Sequence, residues 1–127
     1  MNDRTQAMVG RAETYFRDVD NFDTDAIISY VTEDVVLEVP THGVRKEGLE
    51  AVRQTYIDRA KNIKKSWHGN FKFMSDEVEG RLAIRLAVRR TNAAGIEDEM
   101  DNLTLLSFAG DLICGITVWM AGENSLN

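Results

Sequence analysis

Residues 22–40 read FDTDAIISYVTEDVVLEVP, and after a short turn residues 45–56 read RKEGLEAVRQTY. The first stretch predicts a two-turn helix, an acidic turn and an apolar strand that ends at the chain's single proline, Pro40. The second opens a long helix. Asp23 or Thr24 caps the short helix, which carries Ala26, Ile27, Ile28, Tyr30 and Val31. A helix that short is held by packing and not by propensity. The strand, placed at Val35 to Thr41, is β-branched and apolar. Proline donates no ladder bond, so the strand lies at an edge or ends there.

Working outward, residues Thr5 to Val19 form an amphipathic helix. Met8, Ala12, Tyr15 and Val19 recur at three- and four-residue steps, with Val9 and Phe16 widening the stripe. Asp20-Asn21-Phe22-Asp23 breaks the pattern with turn formers. On the other side, Gly48 to about Lys65 carries Leu49, Val52, Tyr56, Ala60 and Ile63 on one stripe. Glu47 and Glu50 at its start and Lys61, Lys64 and Lys65 at its end suit the helix dipole. The remainder predicts sheet: His68 to about Val78, Arg81 to Asn92, Ile96 to Phe108, and Leu112 to Ala121. Arg81–Asn92 alternates strictly, with Leu82, Ile84, Leu86 and Val88 on one face.

The turns predict a register. Ala93-Ala94-Gly95 sets Ile84 opposite Thr104, Arg89 opposite Glu99 and Arg90 opposite Asp98. Gly110-Asp111 as a two-residue hairpin loop sets Thr104 opposite Thr117 and Asn102 opposite Trp119. One face then carries Leu82, Ile84, Leu86, Asn102, Thr104, Thr117 and Trp119, and the other Ala83, Ala87, Leu103, Leu105, Ile116, Val118 and Met120. Both are largely apolar. The helices cover one, and the predicted cover of the other is a second copy of the chain, through Leu103, Leu105, Ile116, Val118 and Met120.

Bulk properties bound the function. The chain has 127 residues, enough for one domain (1–127) with a single core, and 43% are hydrophobic. A net charge of -6 argues against nucleic acid or an anionic membrane as partner. No apolar run approaches the roughly 20 residues of a membrane span. No apolar segment of a signal peptide follows the N-terminus, and one cysteine, Cys114, precludes an internal disulfide. A reducing cytoplasm is the expected location. The two histidines are far apart and no metal-ligand spacing occurs, so no metal is expected. Neither a dinucleotide fingerprint nor a phosphate-binding loop is present, so no cofactor is expected.

Helix, helix, strand, helix, then antiparallel strands is an α+β order: a curved, mixed, mainly antiparallel sheet wrapped around three N-terminal helices. The chain resembles the nuclear transport factor 2-like superfamily, whose small enzymes include the ketosteroid isomerases and the SnoaL-like polyketide cyclases. The resemblance rests on Ala12-Glu13-Thr14-Tyr15, the Asp-Thr-Asp-Ala-Ile-Ile helix, Glu33 to Pro40, Gly48 opening a helix that reaches Tyr56, and Phe108 to Ile113. It implies a cone with a pocket between sheet and helices, and a dimer through the sheet.

Compared residue by residue with the isomerases, Tyr15 matches the oxyanion-hole tyrosine and Tyr56 the tyrosine bonded to it. The catalytic base falls at Val39 and the second oxyanion donor at Thr104, so both carboxyls are missing and steroid isomerase chemistry is not expected. Glu38, next to the lost base, points to the opposite side of the strand. The limonene epoxide hydrolases' arginine between aspartates is echoed only by Arg90-Thr91-Asn92, with Val118 at the other aspartate. Tyr15 has two readings, core packing with its hydroxyl at an edge or a donor in the pocket. His68 also has two, a surface strand residue or the pocket acid/base. His42 reads as a solvated loop residue. Arg89 and Arg90 read as surface cross-strand ion pairs rather than anion sites. Trp119, Thr104, Asn102, Val39 and Thr117 are the candidate substrate contacts. Two functions follow. One is a small-molecule enzyme acting by proton transfer on an apolar, oxygen-bearing substrate, with Tyr15, Tyr56 and His68 as catalytic residues. The other is a non-catalytic binding or assembly module of the same fold.

Overall fold

The computed structural model describes residues 3–127. Helix α1, Asp3–Asp20, buries the anticipated stripe of Met8, Ala12, Tyr15, Phe16 and Val19. Helix α2, Thr24–Ile28, is capped by Asp23, whose carboxylate accepts from the Ala26 amide at 3.1 Å. It ends before Tyr30 and Val31, because Val31 already pairs with the last strand and opens β1, Val31–Val39. Pro40 ends β1 and starts a 3-10 turn, Pro40–His42. Gly43 follows in the left-handed region at φ 65°, and the chain reverses into β2, Val44–Glu47. No strand was expected here. It takes the sheet edge, so β1 is an inner strand.

Helix α3, Leu49–Asn62, ends three residues before the predicted limit, since Ile63 is extended and begins β3, Ile63–Asp76. Its buried face is Val52, Thr55, Tyr56 and Arg59, whereas Ala60, expected inside, is exposed. Strands β4, Arg81–Asn92, β5, Glu97–Ala109, and β6, Leu112–Trp119, complete a six-stranded sheet of order β2-β1-β6-β5-β4-β3. Only β1 and β6 run parallel. The architecture is the predicted α+β arrangement, with α1 packed on β3 and β4 and α3 on β1 and β2.

The β4–β5 register is as predicted: Ile84 faces Thr104, Arg89 faces Glu99, and Arg90 faces Asp98. The β5–β6 register is not. Phe108 faces Ile113 beyond the Gly110-Asp111 loop, but Ser107 then faces Gly115, so β6 gains one residue at Cys114. Thr104 consequently faces Val118, and Leu103 faces Trp119. Because side chains alternate, this one-residue slip turns β6 over. Ile116, Val118 and Met120 are buried inside, and Thr117 and Trp119 lie on the outer face. Three of the five residues expected at a sheet-to-sheet interface therefore belong to the core, and Thr117 and Trp119 leave the pocket.

Candidate functional site

Helix α1, helix α3 and the inner face of β3–β6 enclose a cavity of about 30 Å³, room for one or two waters. Tyr15, Tyr56, His68, Arg59, Asn102 and Thr104 bring polar groups to it, among apolar walls that include Phe16, Leu86 and Val118. Ser125 and Leu126, from the irregular C-terminal segment, close one side, and the Leu126 side chain is buried.

The tyrosines come from helices far apart in sequence. Tyr15 faces the sheet from α1, Tyr56 from α3, and their hydroxyl oxygens are 2.5 Å apart. Burial pushes Tyr15 up to about 12, against the opposing influence of the Tyr56 hydrogen bond and the Arg59 charge. Burial pushes Tyr56 well above its ordinary value too, reinforced by Tyr15. Both are neutral near pH 7. Two hydroxyls share one proton in their mutual bond, so the pair has one O–H left to donate.

His68 and Asp20 form a second pair. His68 sits on β3 opposite Val88 and shares its inward face. Its ring stacks on Phe16 with centroids 5.3 Å apart. Nδ1 lies 2.5 Å from Asp20 Oδ1, and the His68 amide donates to Asp20 Oδ2 at 2.9 Å. Ser66 Oγ donates to Asp20 Oδ1 at 2.8 Å and accepts from Arg59 Nη2 at 2.9 Å. Burial drives His68 below its ordinary value of 6.5, outweighing the raising influence of Asp20. At Asp20 burial acts upward but is outweighed by the hydrogen bonds from His68 and Ser66, which hold the carboxyl below 3.8. Near neutrality the pair is a carboxylate and a neutral imidazole. Nδ1–H then donates to Asp20, and Nε2 holds a lone pair with no hydrogen-bond partner among the described residues.

The remaining positions sort cleanly. Thr104 and Asn102 line the cavity, the latter also accepting from the Ala121 amide at 3.0 Å. Val39 is fully buried in the core and does not reach the cavity. Glu38 points out and pairs with Arg45 at 2.5 Å. His42 is exposed, its Nδ1 2.8 Å from Thr41 Oγ1. Arg89 pairs with Glu99 at 3.6 Å in solvent. Arg90 pairs with Asp98 through two hydrogen bonds of 3.1 and 2.8 Å, but its side chain is only 5% exposed and reaches the cavity wall, correcting the surface reading. Sequence reasoning missed Asp20, placed among turn formers, and Arg59, which lies one position from the expected stripe. It missed Ser125 and Leu126 altogether, since no periodicity marks a coil. Among the described residues no three His, Cys, Asp or Glu side chains gather to hold a metal.

No protein-family model and no curated protein matches the chain. Solved structures do. The pinacolase BvnE from Penicillium brevicompactum aligns with a TM-score of 0.80 at 17% identity, covering 95% of this chain and 87% of that one. SalBIII, an epoxide hydrolase/cyclase-like enzyme of pyran ring formation in the polyether salinomycin, aligns at 0.75 and 23% identity, covering 95% of each. An NTF2-like protein of unknown function from Exiguobacterium sp. 255-15 aligns at 0.75 and 17%, covering 88% of this chain and 98% of that one. With the helices, sheet order and enclosed cavity described above, these alignments show that the chain has the nuclear transport factor 2-like, SnoaL-like fold.

Proposed function

We propose that this protein is a small-molecule enzyme that moves a proton on an apolar, oxygen-bearing substrate, as an isomerase, lyase or cyclase. One observation carries the reading. His68 lines the same cavity as the tyrosine pair, its Nε2 has no hydrogen-bond partner among the described residues, and its other nitrogen is held by an ionised Asp20. That is the arrangement of a general base with its orienting carboxylate. Nε2 takes a proton from the carbon next to a carbonyl. The C–H electron pair moves into the carbon–carbon bond, and the carbonyl oxygen becomes an enolate oxygen. Tyr15, supported by Tyr56, donates a hydrogen bond to that oxygen. The imidazolium is stabilised by Asp20 and returns the proton. Return at another carbon gives an isomer, and return to a departing oxygen gives elimination. An enolate carbon attacking an electrophile in the same molecule closes a ring.

The test is proton–deuterium exchange at the α-carbon of apolar ketones in D2O, followed by NMR. His68→Ala is expected to lower the exchange rate by about 10³-fold, within the range of general base catalysis, while remaining folded. Full activity in that variant, or no exchange in the wild type, removes the assignment.

The cavity's size favours a second reading, a ligand-binding or assembly module without catalysis. At about 30 Å³ it admits no organic substrate as it stands. We also propose a homodimer through the outer face, with the interface revised to Leu103, Leu105, Thr117 and Trp119. Leu103 and Trp119 are each 37% exposed and face one another across β5 and β6. Sedimentation as a monomer at micromolar concentration would rule this out. A cytoplasmic location fits the single cysteine.

A further inference from the structure

We infer that Arg59 is an anion-recognising residue, and that the ligand of this cavity is a carboxylate whose carboxyl group sits on the Arg59 guanidinium. The inference rests on the functional reading above in taking the cavity as the ligand site, and it adds the substrate class: an apolar carboxylic acid that also carries a carbonyl.

The argument starts from charge accounting. Arg59 is 4% exposed. Among the described residues it has no carboxylate within ion-pairing distance, whereas Arg90, its neighbour on the cavity wall, is paired with Asp98. A buried cation without a counter-ion is costly, and folded chains pair such groups or hold them for a partner. The nearest link of Arg59 to a carboxylate is indirect, through Ser66, which donates to Asp20 Oδ1, and the guanidinium stands 5.8 Å from the Phe22 ring centroid. Nη2 donates to Ser66 Oγ at 2.9 Å and Nη1 reaches the Val19 carbonyl at 3.5 Å. Nε has no acceptor among the described residues. A guanidinium has more N–H donors than these contacts use.

The position suits a ligand. Arg59 lines the internal cavity and also a cleft of about 590 Å³, formed by α3, the adjoining ends of β3, β4 and β5, and the C-terminal segment. Ser125 stands on both as well, so Arg59 lies where the two spaces adjoin. Leu126 lines the cavity beside Ser125 with a buried side chain, and a bound apolar acid would displace it. The planar fork of arginine matches the two oxygens of a carboxylate. The Arg59 charge also acts on both tyrosines, opposing the rise that burial causes.

The experiment uses the full chain and two probes of nearly the same shape, benzoate and benzamide. Binding is followed by NMR through the Arg59 Nε–H signal, and affinities are taken from the titrations. Wild type is expected to prefer benzoate by about tenfold or more and to shift the Arg59 signal. Arg59→Gln is expected to lose the preference, and Arg59→Lys to keep part of it. Equal affinities, a preference surviving in Arg59→Gln, benzoate binding without movement of the Arg59 signal, or binding of neither probe each overturn the inference. If Arg59→Gln does not fold, the wild-type Arg59 signal decides. A wild type that selects benzoate through Arg59 but exchanges no α-protons would sink the enzyme reading and leave the carboxylate site standing.

Discussion

The two faces of the sheet use the same residue types to opposite effect. On the outer face, Arg85 pairs with Asp101 at 2.6 Å and Arg89 with Glu99 at 3.6 Å, all four side chains more than half exposed. Water screens these pairs, and holding two long side chains together offsets much of the attraction. Against the inner face, Asp20 serves His68 and Ser66 from a partly buried position, and Arg59 reaches it only through Ser66, with no direct ion pair. Losing water is what separates the two sets. A charge in solvent is stabilised wherever it stands, but a charge in the cavity depends on the few groups aimed at it. The proposed function therefore falls on the face with fewer charges.

This contrast can be broken by mutation, and the largest effect is expected at the base. Removing the His68 ring should cost the α-proton exchange of the proposed reaction about 10³-fold, or about 4 kcal/mol of transition-state stabilisation, measured by NMR. Asp20→Asn comes next. It takes the acceptor from His68 Nδ1–H and unsettles Ser66, and should destabilise the fold by about 1–3 kcal/mol in urea titration. The same variant should shift the pH–rate profile, because the imidazole loses the carboxylate that orients it.

A smaller effect belongs to pH. His68 titrates below 6.5 in the folded chain, so the unfolded chain binds the proton first on acidification. Stability from this group is complete above pH 6.5 and falls as pH drops through the folded value. Asp20, held below 3.8, adds a further loss at lower pH. His68→Phe should flatten the upper part of this dependence in melting temperatures taken across the acid range. Tyr56→Phe should lower turnover by about tenfold, since Tyr15 would then lose its hydroxyl partner. At the bottom of the scale, Arg85→Ala should leave the melting temperature unchanged. A large drop there would mean that the proposed dimer contact extends from Leu103 and Trp119 to this ion pair.

Much of the fold was legible because its signals are local. The α1 stripe, the Asp23 cap and the strict alternation of β4 each need only neighbouring residues. The meeting of Tyr15 and Tyr56 was accessible only through resemblance, since 41 positions separate them. β6 shows where local reading stops. A single extra residue at Cys114 exchanged its faces, moving Trp119 out and Val118 in. Nothing in the sequence of Leu112 to Met120 distinguishes the two, because both faces are apolar. Arg59 was passed over because an arginine on an amphipathic helix is normally solvated, and only the sheet and the C-terminal segment folding over it make it buried.

By itself, the sequence determined the α+β order, the helix stripes, the β4–β5 register and the tyrosines that the helices carry inward. These follow from periodicity and turn chemistry, which act over a few residues. Only the tertiary structure decided that Asp20 holds His68, that Arg59 is a buried cation without a direct ion pair, and that Leu126 lines the cavity. Those facts depend on desolvation and on contacts between residues such as Asp20 and His68, 48 positions apart, which exist only once the sheet has closed around the helices.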